Sequence, residues 1–195
     1  MLTRREILST ASIVAASTMT LPRLAVDQTP SLPLYKIIAD ENFELSTAFA
    51  GHAATRGADI HVGASDITSF WFHDLEPLWR HNPRPIAGLT TPEALFCLER
   101  LAWDHGMRVI TRTEHRMRDE QVIEHSMQSP AEVIGCMDHG CKLGGAWPVA
   151  MADALLAHPR VPVSVTSTLI TQRVTREQRL NETLVSWLIA LPHRA

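Results

Sequence analysis

Short apolar runs alternate with segments of helical period through the first half of the chain, and this alternation restricts the fold more than any other feature. The strand-like runs cover residues 34–39, 59–62, 84–87 and 108–113. The segments between them place apolar residues three or four positions apart, as an amphipathic helix requires. These segments are residues 42–56, 67–79 and 91–105. Strands that alternate with helices usually pair in parallel. We therefore predict an α/β fold, a three-layer sandwich with a mainly parallel sheet, helices on both faces and an antiparallel strand allowed at the edge.

The second half of the chain is less regular. Residues 122–127 predict a fifth strand, which would pair with the fourth through the charged turn at 116–120. Residues 146–158 predict a helix, and 161–170 form a β-rich run. The segment 175–191 carries large apolar residues at helical spacing, so we predict that an amphipathic helix closes the domain. Its inward residues would be Leu180, Leu184, Trp187, Leu188 and Leu191.

The composition is that of a globular protein. Of the 195 residues, 45% are hydrophobic and 20% are charged, which excludes a disordered, collagen-like or coiled-coil chain. The length suits a single domain, which we assign to residues 34–195. Acidic residues outnumber lysine and arginine, 21 to 18, and the bases are scattered. We therefore expect no nucleic-acid partner.

The N-terminal segment has the pattern of an export signal. Arg4 and Arg5 precede an uncharged run, residues 7–21, that is too short and too rich in serine and threonine for a membrane span. Residues 3–8, TRREIL, resemble the twin-arginine signal, whose pattern is Ser/Thr-Arg-Arg-x-Phe-Leu-Lys. Ile7 stands where that pattern has phenylalanine, and Ser9 stands where it has lysine.

The resemblance covers residues 1–25 and bears on where the protein goes. It implies export by the twin-arginine route, with the translocon as a partner and the periplasm as the location. Membrane attachment would result only if the signal were retained. Cargo of this route often carries a cofactor or travels with a redox enzyme, so the resemblance also suggests a periplasmic redox partner. Residues 26–33 are polar and rich in proline, and we expect them to be a linker.

Polar residues follow four of the predicted strands at the point where each strand ends. The carboxyl ends of parallel strands meet at one edge of a sheet, where ligands bind. We therefore predict a site there, with His115 as general base and Asp40 or Asp66 orienting it or donating a proton. The residues expected to bind the ligand are Glu41, Ser65, Gly88, Thr90 and Thr91.

These loop residues have a second interpretation. Aspartate, serine and threonine also cap helices, and Asp40, Asp66 and Thr91 each precede a predicted helix. The sequence has no dinucleotide fingerprint, phosphate-binding loop or nucleophile elbow, so it points to no particular cofactor. Catalysis and capping both remain open for this edge.

A cysteine pair supplies the second candidate site. Cys136 and Cys141 enclose His139 and are followed by two glycines, a pattern that suits a loop. A disulfide between them is the favoured hypothesis for an exported protein. A metal site formed by Cys136, His139 and Cys141, with His125 or His115 as a fourth ligand, is the next. A redox-active or nucleophilic thiol is the third.

Three functions are compatible with these features. The first is an exported accessory or ligand-binding domain that assists a periplasmic redox enzyme. The second is a small cofactor-free enzyme that uses acid–base residues at the strand edge. The third is a metal- or thiol-dependent protein centred on Cys136 and Cys141. The sequence favours the first, because it shows no recognisable catalytic signature.

Overall fold

The structure, a computed structural model, describes residues 31–63, 67–160 and 164–192. The predicted signal, residues 1–25, lies outside these ranges. Residues 36–190 contribute the elements β1 (Lys36–Ala39), α1 (Glu44–Thr55), β2 (Ile60–Val62), α2 (Ile67–Phe70), α3 (Glu76–His81), β3 (Ile86–Thr90), α4 (Pro92–Trp103), β4 (Arg108–Asp119), β5 (Val122–Pro130), α5 (Ala131–Lys142), α6 (Trp147–Leu156), β6 (Val165–Arg173) and β7 (Leu184–Ala190). A π-helical turn, Trp71–Leu75, joins α2 to α3.

One mixed sheet of seven strands organises the molecule, in the order β2-β1-β3-β7-β4-β5-β6. The first three strands are parallel, as predicted. Every other neighbouring pair, from β3–β7 to β5–β6, is antiparallel. The α/β class is therefore confirmed, whereas the prediction of a mainly parallel sheet is wrong.

The C-terminal segment is the main source of that error. The predicted helix over 175–191 is instead strand β7, which lies antiparallel between β3 and β4. All seven residues of LVSWLIA are buried. A strand covered on both faces is apolar at every position, so its sequence cannot be distinguished from a buried helix by periodicity.

Helices cover both faces of the sheet and form two cores. On one face, α1, α5 and α6 pack around Phe49, Met137 and Trp147. On the other, the segment from α2 to α3 and helix α4 pack around Trp79, Leu98 and Trp187. Among the described residues, no helix is long and apolar enough to cross a membrane.

Two local predictions are confirmed. Helix α4 begins after Thr91, whose hydroxyl accepts a hydrogen bond from the Ala94 N–H at 3.3 Å, as an N-cap should. Strands β4 and β5 form the predicted antiparallel hairpin. The fourth strand is longer than predicted and runs to Asp119. His115 therefore lies inside β4 and not in a loop after it.

Candidate functional site

A cavity of about 990 Å³ opens at the sheet edge where β3 and β4 begin and β5 and β7 end. This is the edge opposite the one that the sequence pointed to. The floor is the first part of strand β4, residues 109–112. The walls come from residues 82–85, 128–130, 158–160 and 190–192. We call this cavity the arginine pocket. Its volume is at the upper end of the range for small-molecule sites.

The charges around the arginine pocket are unbalanced. Arg84, Arg112 and Arg160 line it, and Glu99 is the acidic residue among its described lining residues. Arg84 lies over the Tyr35 ring at 5.1 Å, which holds its side chain in place. Guanidinium groups are planar, permanently charged and able to donate two parallel hydrogen bonds. The pocket is therefore suited to a carboxylate or a phosphate.

Prolines form much of the pocket wall. Six line it: Pro33, Pro83, Pro85, Pro130, Pro159 and Pro192. Proline fixes φ near −65°, so these segments have little backbone freedom to lose when a ligand binds. A wall of this kind is preorganised, which lowers the entropic cost of binding.

An irregularity in β4 shapes the pocket floor. Val109 pairs with Ile189 and Thr111 pairs with Leu188, so Ile110 is an extra residue in the ladder with β7. Such bulges bend a strand and redirect its side chains. The Thr111 hydroxyl lies 3.1 Å from His158 Nε2. The floor is thereby tied to the segment that follows α6.

His158 is buried, and its ring is held from both sides. Nδ1 lies 3.0 Å from the Pro159 carbonyl, which can only accept, so Nδ1 donates this hydrogen bond, and Nε2 is within hydrogen-bond distance of the Thr111 hydroxyl. The backbone reinforces this junction, because the Leu32 N–H donates to the His158 carbonyl at 2.8 Å. The turn that carries Arg160 is thus anchored to the sheet just before the arginine.

The predicted site edge has a different structure. The Asp40 N–H donates to Ser46 Oγ at 2.9 Å, and the Ser46 hydroxyl donates to the Leu89 carbonyl. Ser46 therefore joins the ends of β1 and β3 where a ligand crevice was expected. Asp40 Oδ1 accepts from the backbone and side-chain N–H groups of Asn42, both at 3.0 Å, in the manner of a turn residue.

The rest of this edge is also filled by protein. Thr90 Oγ1 accepts from Trp187 Nε1 at 2.9 Å. A Cβ added at Gly88 would lie 2.6 Å from the Ile38 carbonyl oxygen and 2.7 Å from Trp187 Cζ2. Gly88 thus allows the indole of Trp187 to pack directly on the strand. Thr91 caps α4, as described above.

The remaining candidates at this edge are placed differently. Glu41 lies near Gly63, where an added Cβ would be 3.9 Å from Glu41 Oε2. Ser65 and Asp66 lie outside the described residues. Within those residues, no hydrogen bond or ion pair joins Asp40 to His115.

His115 belongs to a buried polar chain in the sheet. Its Nε2 lies 2.9 Å from Ser186 Oγ and its Nδ1 lies 2.6 Å from Nδ1 of His125. Both imidazoles lie beside Trp147, and His115 stacks on the indole at 4.4 Å between ring centroids. Ser186, His115 and His125 are all fully buried.

Burial determines the charge state of this pair. It lowers the pKa of His115 well below its usual value, and the neighbouring His125 lowers it further. Burial also lowers the pKa of His125, to about 4, although a hydrogen-bonding interaction with Gln172 raises it in part. Both rings are therefore neutral at pH 7. In space, Ser186, His115 and His125 follow one another in the order of a nucleophile, a base and an orienting group. Enclosure by the protein leaves them no contact with a solvent-borne substrate.

Cys136 and Cys141 do not form the predicted disulfide. Both thiols are free, and the segment is helix α5 and not a glycine-rich loop. Five residues turn a helix through about 140° beyond one full turn, which points the two side chains apart. Burial raises the pKa of both thiols, that of Cys141 to about 11, so neither is activated.

The metal hypothesis for the same segment also lacks support. Because Cys136, His139 and Cys141 are spread around α5, they do not converge on one point. Among the described residues, no group of three or more histidine, cysteine, aspartate or glutamate side chains could hold a metal ion.

Comparison of the chain with protein-family models, with curated proteins and with solved structures finds no match. The site must therefore be judged on its own geometry. Sequence reasoning missed the arginine pocket, although one signal was present. Within the part of the chain that the structure describes, a proline–arginine pair occurs twice, at 83–84 and at 159–160, and each pair supplies an arginine and a rigid wall to the pocket.

Proposed function

We propose that this chain is an exported binding protein that holds a small anionic ligand in the arginine pocket. The ligand would carry a carboxylate or phosphate and an apolar body. The observation that carries the proposal is the excess of three arginines over one glutamate in a proline-walled cavity. Apolar side chains such as Leu32 and Val109 complete the lining and would contact the ligand body.

The arginines would supply most of the specificity. A hydrogen bond to a charged group contributes about 1.5–3 kcal/mol, which corresponds to roughly 10- to 150-fold in affinity. Arg84 and Arg160 have no ion-pair partner among the described residues, whereas Arg112 lies 3.4 Å from Glu114. We therefore expect Arg84 and Arg160 to contribute more to ligand binding than Arg112.

The first test is whether the protein recognises anions of this kind. Thermal unfolding would be followed with inorganic phosphate, succinate, benzoate and, as a neutral match of benzoate, benzamide. We expect at least one anion to raise the melting temperature while benzamide has no effect, because a ligand that binds the native state stabilises it. If none of the anions raises the melting temperature, the proposal fails.

The second test places the ligand in the pocket. Arg160→Gln and Arg84→Gln should each lower the affinity for the anion by about tenfold or more. At a fixed anion concentration, the rise in melting temperature should therefore be smaller in each variant than in the wild type. Arg118→Gln is the matched control, because Arg118 is an exposed arginine at the far end of β4 that does not line the pocket. An anion effect that is equal in all three variants would show that binding occurs elsewhere.

Export remains a separate proposal, supported by the twin-arginine pattern at residues 3–8. Replacing Arg4 and Arg5 together by lysine should retain the protein in the cytoplasm, whereas the wild type should be found in the periplasmic fraction. Equal periplasmic amounts would refute it. Association with a redox enzyme stays a prediction, and copurification from the periplasm would test it.

The two alternative functions have less support. An acid–base enzyme at the edge that the sequence pointed to would need His115 in contact with substrate, and His115 is fully buried. A thiol-dependent protein would need an activated cysteine, and burial raises the pKa of Cys136 and Cys141.

A further inference from the structure

The two edges of the sheet differ greatly in length. The edge strand β2 has three residues, and the edge strand β6 has nine. A long edge presents a row of backbone N–H and C=O groups to any strand that can pair with them. Among the described residues, no strand pairs with the outer side of β6.

The ladder with β5 shows which backbone groups point outward. The Val174 N–H donates to the Gln121 carbonyl at 2.9 Å, and this pair continues the uninterrupted register of β5 with β6. In an antiparallel ladder, residues bonded to one neighbour alternate with residues that point away from it. The even-numbered residues therefore bond to β5. The outward residues are Val165, Ser167, Leu169, Thr171 and Arg173.

Strand β6 lacks the features that usually block an edge. It contains no proline, shows no bulge in its register and has one charged residue, Arg173, at its end. Two large apolar side chains are exposed on it, Val165 at 55% and Leu169 at 58%. Both belong to the outward set, on the face away from α5. An edge of this composition is favourable for pairing with another strand.

We propose that β6 pairs antiparallel with β6 of a second copy of this chain, about a two-fold axis at Leu169. This register joins all five outward residues, with Leu169 opposite Leu169, Ser167 opposite Thr171 and Val165 opposite Arg173. It forms about ten interchain backbone hydrogen bonds, since each bonded pair exchanges two. A shift by two residues in either direction pairs fewer of them.

The side chains favour a second copy as the occupant. In the centred register Arg173 lies opposite Val165, so no like charges meet, and its aliphatic stem can cover the valine. The two Leu169 side chains meet at the axis and remove the most exposed apolar residue of the strand from water. Because β6 carries one charged residue, at its end, it has few groups that could recognise a charged partner strand. It is complementary to itself.

Cysteine cross-linking tests both the partner and the register, in a Cys97→Ser background because Cys97 is exposed. Bonded pairs across antiparallel strands have Cα atoms about 5.5 Å apart, which a disulfide can span. Leu169→Cys should therefore form a covalent dimer under mild oxidation. Ser167→Cys alone should not, since its two copies lie about 13 Å apart along the strands. A mixture of Ser167→Cys with Thr171→Cys should cross-link. Equal cross-linking by all three, or none by Leu169→Cys, would overturn the proposal.

Light scattering after gel filtration gives an independent measurement. We expect the wild type to be dimeric at about 100 µM, a concentration suited to a small interface. Leu169→Lys places two like charges at the axis and should yield monomers. Ser126→Lys is the matched control, because Ser126 is exposed on the same face and pairs with Leu169 one strand further in. A monomeric wild type, or dimers that persist in Leu169→Lys, would contradict the pairing.

Discussion

The buried pair of His115 and His125 should make the protein sensitive to mild acid. In the unfolded chain, an imidazole takes up a proton near pH 6.5. In the native structure, burial holds the pKa of His125 at about 4 and that of His115 well below the usual value. Between these limits the unfolded state binds more protons than the native state. The free energy of unfolding therefore falls as the pH decreases from about 6.5 towards 4.

The size of this effect is set by the pKa of His125. Each unit of difference between the folded and unfolded pKa is worth about 1.36 kcal/mol. Lowering the pH from 7 to 5 should remove about 2 kcal/mol through His125 alone. His115 adds to the loss in the same direction, because protonating both rings would place two cations at a separation of 2.6 Å. For a protein of ordinary stability, about 5–15 kcal/mol, this is a large fraction.

Urea unfolding at pH 7 and pH 5 measures the loss. In His125→Gln the difference between the two pH values should be smaller than in the wild type by about 2 kcal/mol, because that titrating group is gone. Ile123→Val is the control: it removes one buried methyl group from the same strand and should cost about 1 kcal/mol at both pH values. If wild type and His125→Gln lose the same stability between pH 7 and pH 5, the imidazole pair is not neutral in the native state.

Two further predictions concern packing and capping. Gly140→Ala should destabilise by about 1–3 kcal/mol, because its Cβ would lie 2.6 Å from Cβ of Ala150 and force α5 away from α6. Gly135→Ala, on the exposed side of the same helix with open space around it, should instead stabilise by about 0.5–1 kcal/mol. Equal effects in denaturant unfolding would refute the close approach. Thr91→Ala should lower the free energy of unfolding by about 1 kcal/mol through the lost cap and leave the anion affinity unchanged. A change in anion affinity measured by titration calorimetry would show instead that Thr91 contributes to ligand binding.

Much of the first half was predictable because its signals are local. The cap at Thr91, the apolar spacing of 91–105 and the following glycine all lie within one helix and its ends. The β4–β5 hairpin joins residues that are close in sequence. Such features depend on neighbours along the chain, which the sequence displays directly.

The candidate site was less predictable because its residues come together only through the tertiary structure. Arg84 and Arg160 are far apart in sequence, and a bulge at Ile110 shapes the floor between them. The edge that appeared open in the sequence is filled by Ser46 and by Trp187, which reaches Thr90 across 97 positions. A polar residue at a strand end has the same sequence signature whether it binds a ligand or a neighbouring strand.

The sequence by itself determined the α/β class, the parallel strands β1 to β3 and the Thr91 cap of α4, since hydrophobic period and capping chemistry act over a few residues. Only the tertiary structure decided the course of residues 184–190. An apolar run gains free energy by burial in either conformation. Residues 184–190 form a strand because they lie between β3 and β4. The facing edges of both strands carry backbone N–H and C=O groups that must be hydrogen-bonded when buried. That insertion makes most of the sheet antiparallel and places Ser186 next to His115, within the core.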